Sequence, residues 1–311
     1  MESIPGEVGA EGGSILAVAG GAQQDDRPEV EPDCARRQDG AVSEEPTDAF
    51  TGTGIDTTIP HSARIWNYWL GGKDNYAVDR EAGDAFAALY PQITVNAREA
   101  RGFLQRVVRF LAGDVGIRQF LDIGTGLPTA DNTHEVAQRV APDSRVVYVD
   151  NDPLVLAHAR ALLVGTPEGE TRYLDADIRD VDGLVRGAAE ILDFTEPVAV
   201  LILGVLGHIH DADEARALVR RILDHVPPGS YLAIGDGTAS EAKLKAQKQY
   251  GNTGGPIYLN REPAEIATFF DGLEWVEPGF VSAPLWRPER PTAVPPIAAP
   301  VDEYGGLARK P

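Results

Sequence analysis

Cysteine and lysine are scarce in this chain of 311 residues, and long apolar runs are absent. The single cysteine, Cys34, excludes an intrachain disulfide and a zinc site made of several cysteines. An apolar run such as 198–203 is far shorter than the roughly 20 residues that a membrane-spanning helix needs. Because the first residues are acidic and lack the basic start of a secretory signal, we expect a cytoplasmic protein.

Basic residues are also few, since 28 Lys and Arg stand against 48 Asp and Glu, a formal net charge of −20. An acidic surface repels phosphate groups, so we expect neither nucleic acid nor a membrane as a partner. Most of the basic residues are Arg, and Ala and Gly are abundant, which is typical of bacteria with GC-rich genomes. Nothing in the composition indicates an oligomeric state.

Four segments differ in composition. Residues 1–55 are rich in Gly, Pro and acids, and we expect a disordered acidic leader because they cannot bury enough apolar surface to order. Residues 56–118 have the spacing of helices and predict a helical cap or lid. Residues 119–288 predict the main domain, and residues 289–311 predict a Pro-rich, extended tail.

The main domain alternates short apolar runs with helical segments, the pattern of a parallel sheet covered on both faces. We therefore predict a doubly wound α/β fold. The predicted strands are 119–123, 145–150, 171–176, 198–203 and 231–235, followed by two weaker candidates at 274–281 and 283–287. The predicted helices are 131–141, 153–164, 180–192, 212–225, about 239–249 and 262–271.

Three helices are predicted in the cap. Ser62 is a suitable N-cap for the first, and Gly71 with Gly72 ends it. The other two are expected at about 78–90 and 95–112.

A glycine-rich loop follows the first predicted strand. Asp122 precedes Gly124 and Gly126, which allow a tight turn and close approach of a ligand to the backbone. The dinucleotide fingerprint needs a third small residue where this chain has Thr129 after Pro128, which argues against NAD. A carboxylate at Asp122 repels a pyrophosphate and attracts an ammonium group, which favours S-adenosylmethionine.

Acidic residues also follow the second and third predicted strands. Asp150 is expected to accept the hydrogens of ribose hydroxyls, whereas Asp152, before a proline, is expected to cap the next helix. Asp177 with Ile178 is placed to bind an adenine through a carboxylate and a backbone N–H, with Asp175 as the alternative to Asp177.

Two further segments carry candidate site residues. His208 and His210 follow the fourth predicted strand and are candidate general bases, with packing or helix capping as the alternative. Arg64 and Tyr68 share one face of the first cap helix. We expect Arg64 to pair with the methionine carboxylate and the Tyr68 ring to lie near the sulfonium. His208, His210 and Asp211 are also a conceivable set of metal ligands, but we predict no metal site.

Three segments together resemble a bacterial family of S-adenosyl methyltransferases that was formerly a domain of unknown function. They are PHSARIWNYWLGGKDNYAVDR (60–80), FLDIGTGLPTADNTHEVAQ (120–138) and VVYVDNDPLVLAHARALL (146–163). The later FFDGLEWVEPGFVSAPLWRP (269–288) is similar to the end of that family.

The resemblance implies a class I methyltransferase, a Rossmann-like fold with a seven-stranded sheet in the order 3-2-1-4-5-7-6 and an antiparallel last strand. It implies S-adenosyl-L-methionine as the cofactor. It places Asp122, Gly124 and Gly126 at the methionine end, Asp150 at the ribose and Asp177 near the adenine. Pro128, soon after the second glycine, departs from many class I enzymes and moves the cap of the next helix to Thr129 or Asn132.

The expected function is transfer of a methyl group to a small-molecule acceptor by in-line displacement. A protein that binds S-adenosylmethionine or its product without catalysis is the first alternative, and an NAD(P)-dependent oxidoreductase is the second. The sequence does not indicate which acceptor or which atom is methylated.

Overall fold

The computed structural model of the chain describes residues 56–162, 165–251, 258–288 and 299–311. The predicted leader 1–55, with Cys34, lies outside the described residues. Within the described residues, no helix is both long enough and apolar enough to cross a membrane.

The described strands β1 to β8 are Gln119–Ile123, Arg145–Asp150, Glu170–Asp175, Ala199–Leu203, Tyr231–Gly237, Glu274–Trp275, Val281–Ser282 and Glu303–Arg309. They form one eight-stranded sheet in the order β3-β2-β1-β4-β5-β8-β6, with β7 paired to β8. Strands β1 to β5 are parallel, and β8 is antiparallel to β5, β6 and β7. This confirms the doubly wound fold, with an antiparallel last strand inserted before β6. The sheet has eight strands instead of seven, and its last strand is 303–309 instead of the predicted 283–287.

Helices cover both faces of the sheet because alternate side chains of the strands are apolar on each side. One face packs against α6, α7 and α9, and the other packs against α3 and α4. The helices α1 to α9 are Ser62–Trp69, Ala77–Leu89, Ile93–Arg109, Thr133–Val140, Pro153–Leu162, Val181–Ala188, Ala212–Asp224, Glu241–Gly251 and Pro263–Ala267. A turn of π-helix, Phe110–Val115, extends α3.

Two of the predicted helix caps are confirmed. Asn132 caps α4, and the Asp152 side chain accepts a hydrogen bond from Leu154 N at the start of α5. Asp180 and Asp211 cap α6 and α7. At α1 the N-cap is His61, one residue before the predicted Ser62.

The boundaries of the predicted cap need correction. Phe103, Leu104, Val107 and Val108 on α3 are buried against the sheet, so α3 belongs to the main domain. Helices α1 and α2 contact each other, and α2 packs against α8 instead of against the sheet. The cap therefore ends before α3, because the apolar stripe that predicted this helix also attaches it to the sheet.

The predicted tail 289–311 is wrong in its last part. Residues 303–309 form β8, which lies inside the sheet between β5 and β6. The weaker strand candidates reduce to the two-residue β6 and β7, and residues 283–285 form a turn of 3-10 helix. Gly305 makes the placement of β8 compatible with α3, because an added Cβ would lie 2.5 Å from Cζ of Phe103.

Leu307 tests the role of β8 in the core. Its side chain is fully buried among residues of α3 and the sheet. We expect Leu307→Ala to lower the free energy of unfolding by about 2–5 kcal/mol, since deleting buried methyl groups leaves a cavity. Denaturant unfolding measures this change. The matched control is Leu244→Ala, at a side chain that is 46% exposed, with an expected loss of under about 1 kcal/mol. Equal losses in the two variants would contradict the placement of β8 in the core.

Candidate cofactor and acceptor cavity

A cavity of about 520 Å³ lies at the carboxyl ends of β1, β2 and β4, where α/β sheets bind ligands. The loops after these strands form its floor, and α1 covers it with Ser62, Ala63, Trp66 and other side chains. Of the sequence-predicted site residues, the cavity lining includes Asp122, Gly124, Gly126, Asp150, Asp177, Ile178 and His208.

The glycine-rich loop requires its two glycines for different reasons. Gly124 has φ +73°, and an added Cβ would lie 2.1 Å from Cγ2 of Val205. Gly126 has φ +63°, and nothing lies within 4 Å of an added Cβ there, so its backbone borders open space. Left-handed backbone at both positions favours glycine. The glycine-rich loop thus packs against the loop after β4 on one side and exposes backbone to a ligand on the other.

Asp122 is a buried carboxylate, 5% exposed, at the floor of the cavity. Its Oδ2 accepts a 2.6 Å hydrogen bond from Thr133 Oγ1 at the start of α4. Burial raises the pKa of Asp122 to about 6, against the opposing effects of Thr133 and of the nearby Arg101 guanidinium. A buried anion beside open space is a site for a cationic group such as an ammonium.

Asp150, at the end of β2, is positioned by the backbone. Its Oδ2 accepts from Gly126 N at 2.9 Å and its Oδ1 accepts from Asp152 N at 3.0 Å. Burial raises the pKa of Asp150, while these N–H donors lower it. Each carboxylate oxygen has a second lone pair, so the group can accept two further hydrogen bonds from a diol.

The loop after β3 presents Asp177 and Ile178 to the cavity. Oδ1 of Asp177 accepts from Arg179 N at 2.8 Å, and Oδ2 accepts from Asn151 Nδ2 at 3.2 Å. The buried Ile178 gives an apolar surface beside this carboxylate. Asp175, the alternative to Asp177, is exposed and is not part of the cavity lining.

Arg64 and Tyr68 do not line the cavity, and the structure corrects their predicted role in cofactor binding. The buried Arg64 forms an ion pair with Asp79 of α2, at 2.8 Å between Nε and Oδ2, and also donates to the carbonyl groups of Asp56 and Ile59. Tyr68 donates to Oδ1 of Asp84, 2.8 Å away, also on α2. Both side chains join the cap helices because the helix face they share is the one that α2 covers.

The structure places His208 in the cavity lining and His210 outside it. His208 lies in a 3-10 turn after β4 and lines the cavity, with its ring at 4.8 Å and 90° from the ring of Tyr258. Burial, with smaller effects of His61 and His210, lowers the pKa of His208. Both histidines are exposed, but His210 is not part of the lining, so the structure does not support its predicted role as a base. No group of three or more metal-ligating side chains occurs among the described residues.

Several lining residues escaped the sequence analysis. Arg101, on α3, lies near Asp122 and donates to Ala130 O at 3.1 Å and to Asn132 Oδ1 at 2.9 Å. Arg101 and Arg179 both line the cavity, and Arg101 is the arginine near Asp122. No sequence motif marks Arg101. Other lining residues without a sequence signal are Trp69, Tyr173, Lys243, Asn260 and Glu303.

The family model described as S-adenosyl methyltransferase matches residues 48–311. The chain belongs to this family. The resemblance seen in the sequence is therefore confirmed, and S-adenosylmethionine is the cofactor of the family.

Two solved structures of similar proteins share the fold. A DUF574 family protein from Streptomyces avermitilis MA-4680 is 44% identical, with a TM-score of 0.77 over 82% of this chain and 99% of that chain. A protein from Thermobifida fusca YX is 39% identical, with a TM-score of 0.76 over 84% of this chain and 99% of that chain. No curated protein matches this chain.

The two arginines give a matched test of the corrected assignment. We expect Arg101→Ala to weaken the binding of S-adenosylmethionine by about tenfold or more, the effect of losing one charge-assisted hydrogen bond. We expect Arg64→Ala to lower the free energy of unfolding by about 3–5 kcal/mol, because Asp79 is left buried and unpaired. Calorimetric titration and denaturant unfolding of both variants measure the two effects. A larger loss of affinity in a stable Arg64→Ala protein would restore the original assignment.

The raised pKa of Asp122 predicts a pH-dependent affinity. The carboxylate is ionised above about pH 6 and protonated below it, so it attracts an ammonium group only at the higher pH. We expect the Kd for S-adenosylmethionine to rise about tenfold from pH 7 to pH 5, the change in the ionised fraction of a group with that pKa. Calorimetry at pH 5, 6, 7 and 8 measures it. Asp122→Asn should bind weakly at every pH, and an unchanged pH dependence in this variant would exclude Asp122 as its source.

Proposed function

We propose that this chain is a methyltransferase that transfers the methyl group of S-adenosylmethionine to a small-molecule acceptor by in-line displacement. The observation that carries the proposal is the pair of carboxylates, the buried Asp122 and the half-buried Asp150, that line one cavity with the glycine-rich loop. The pair suits a ligand with an ammonium group at one end and a ribose diol next to it. A pyrophosphate in the glycine-rich loop would be repelled by Asp122, which disfavours the NAD(P)-dependent alternative.

The residues of the cavity fit the cofactor of the family. Asp122 and Arg101 offer an anion and a cation side by side, which matches the ammonium and carboxylate of an amino acid. Asp150 would bind the ribose hydroxyls, and Asp177 with Ile178 would hold the adenine. The cofactor supplies an activated methyl group on a sulfonium sulfur.

The protein itself must orient the acceptor, exclude water and, for some acceptors, accept a proton. Side chains of the cap helix α1 line the cavity, so this helix is placed to shield the reacting groups from water. We assign His208 as the base where the acceptor must lose a proton, because it lines the cavity and its lowered pKa keeps the imidazole neutral at pH 7. The cavity is of the size that holds a small molecule, which supports a small acceptor.

Asp150 gives the decisive test of the proposal. We expect micromolar binding of S-adenosylmethionine and S-adenosylhomocysteine to the wild type, and a loss of at least tenfold in Asp150→Ala, because two hydrogen bonds to an ionised group are removed. Calorimetric titration with both compounds and with NAD measures this.

The matched control is Asp175→Ala, an exposed carboxylate on the neighbouring strand outside the cavity lining, which should bind like the wild type. Binding of NAD in preference to both compounds would contradict the proposal. Tight binding with no turnover against any acceptor would favour a non-catalytic binding protein.

A further inference from the structure

A second polar cluster lines the cavity at the carboxyl end of β5 and the start of β8. It consists of Lys243, Asn260 and Glu303, with Asp236 behind them, and we call it the β5–β8 cluster. These side chains are between 2% and 5% exposed. They lie on β5, β8, α8 and the segment before α9, which carry none of the predicted cofactor residues. The part of the reaction left for them to bind is therefore the acceptor.

Asn260 is the unusual member of the cluster. It is 5% exposed and lines the cavity, yet neither Oδ1 nor Nδ2 has a hydrogen-bond partner among the described residues. A buried amide without partners costs stability, so such groups mark sites where a ligand supplies the missing bonds. Gly237 leaves room for this amide, because an added Cβ would lie 2.7 Å from Asn260 Oδ1 and 2.3 Å from Lys243 Nζ.

The charges of the cluster balance one another. Lys243 lies near Asp236 and Asp302, and Asp236 also lies near Arg261, so two cations face two carboxylates. Burial raises the pKa of Glu303 to about 8, so this carboxyl group holds its proton at neutral pH. A cationic or an anionic ligand group entering this end would disturb the balance. Either would leave an uncompensated buried charge, which is strongly unfavourable. The ligand group that fits this end of the cavity is therefore neutral.

Aromatic rings also line the cavity near this cluster, which suits a flat apolar body. Phe103 lies against Gly305 of β8, Tyr258 donates a hydrogen bond to Asp236, and Tyr304 lies on β8 beside Glu303.

We propose that Asn260 binds the methyl acceptor through an amide-type edge, in which an N–H donor stands next to a carbonyl or ring-nitrogen acceptor. Asn260 Oδ1 accepts from the N–H, and Asn260 Nδ2 donates to its neighbour, which satisfies both unpartnered atoms at once. The acceptor class is a neutral carboxamide, lactam or nitrogen heterocycle on an apolar ring. That this ligand is the methyl acceptor rests on the proposed function; its recognition by Asn260 does not.

Three ring-matched probes test the proposal, because they differ only in the polar group. Benzamide has the donor–acceptor edge, benzoate has only acceptors, and benzylamine is a cation. We expect the wild-type protein, loaded with S-adenosylhomocysteine, to bind benzamide at least fivefold more tightly than either of the others. Titration followed by nuclear magnetic resonance measures these weak affinities.

Variants then assign the preference to Asn260. We expect Asn260→Ala and Asn260→Asp to weaken benzamide binding at least fivefold while the affinity for S-adenosylhomocysteine changes by less than twofold. The matched control is Asn96→Ala, at an equally buried asparagine outside the cavity lining, which should keep the preference. The near-isosteric Asn260→Asp keeps the test valid where the alanine variant does not fold.

The outcomes separate this inference from the proposed function. Preference for benzoate or benzylamine, or equal binding of all three probes, would overturn the role of Asn260. Unchanged benzamide binding in both Asn260 variants would do the same. A wild type that binds benzamide but not S-adenosylhomocysteine would instead contradict the proposed function and leave the amide site standing.

Discussion

Seven consecutive residue pairs join β5 to β8, from Tyr231 with Arg309 to Gly237 with Glu303. This antiparallel pairing brings the end of the chain into the sheet and closes the core over α3. It also sets Glu303 and Asn260 near Gly237, at the edge of the cavity. The last strand therefore supports both the packing of the main domain and the part of the cavity assigned to the acceptor.

Several carboxyl groups are buried at or beside the cavity, where an apolar core would contain none. Burial raises the pKa of Asp122 and Asp236 to about 6, and that of Glu303 to about 8. A carboxyl group with a raised pKa favours the folded state at low pH, and this contribution is lost as the pH rises through the raised value. The folded protein thus carries a stability cost at neutral pH. Such costs are concentrated where a ligand offsets them, which is consistent with a binding function for both ends of the cavity.

Two arginines have different roles in the fold: Arg64 stabilises the cap, and Arg101 of the main domain lines the cavity. Arg64 is the better candidate in the sequence, because it lies among aromatic residues in an unusual motif. In the fold the Arg64 guanidinium forms an ion pair with Asp79, and the arginine that lies near Asp122 is Arg101 on α3. The ion pair instead joins α1 to α2, the two helices of the cap. Trp66 and Trp69 of α1 line the cavity.

The sequence by itself determined the elements and the cofactor end of the site. The spacing of apolar residues predicted β1 to β5 within about two residues, and the carboxyl ends of parallel strands necessarily meet at one edge, which brought Asp122, Asp150 and Asp177 together. Only the tertiary structure decided the place of β8, which arginine lies near Asp122, and the composition of the β5–β8 cluster. The reason is physical: seven residues with two glycines, EYGGLAR, carry little strand signal of their own. Their conformation depends on pairing with β5, more than 60 residues earlier in the chain.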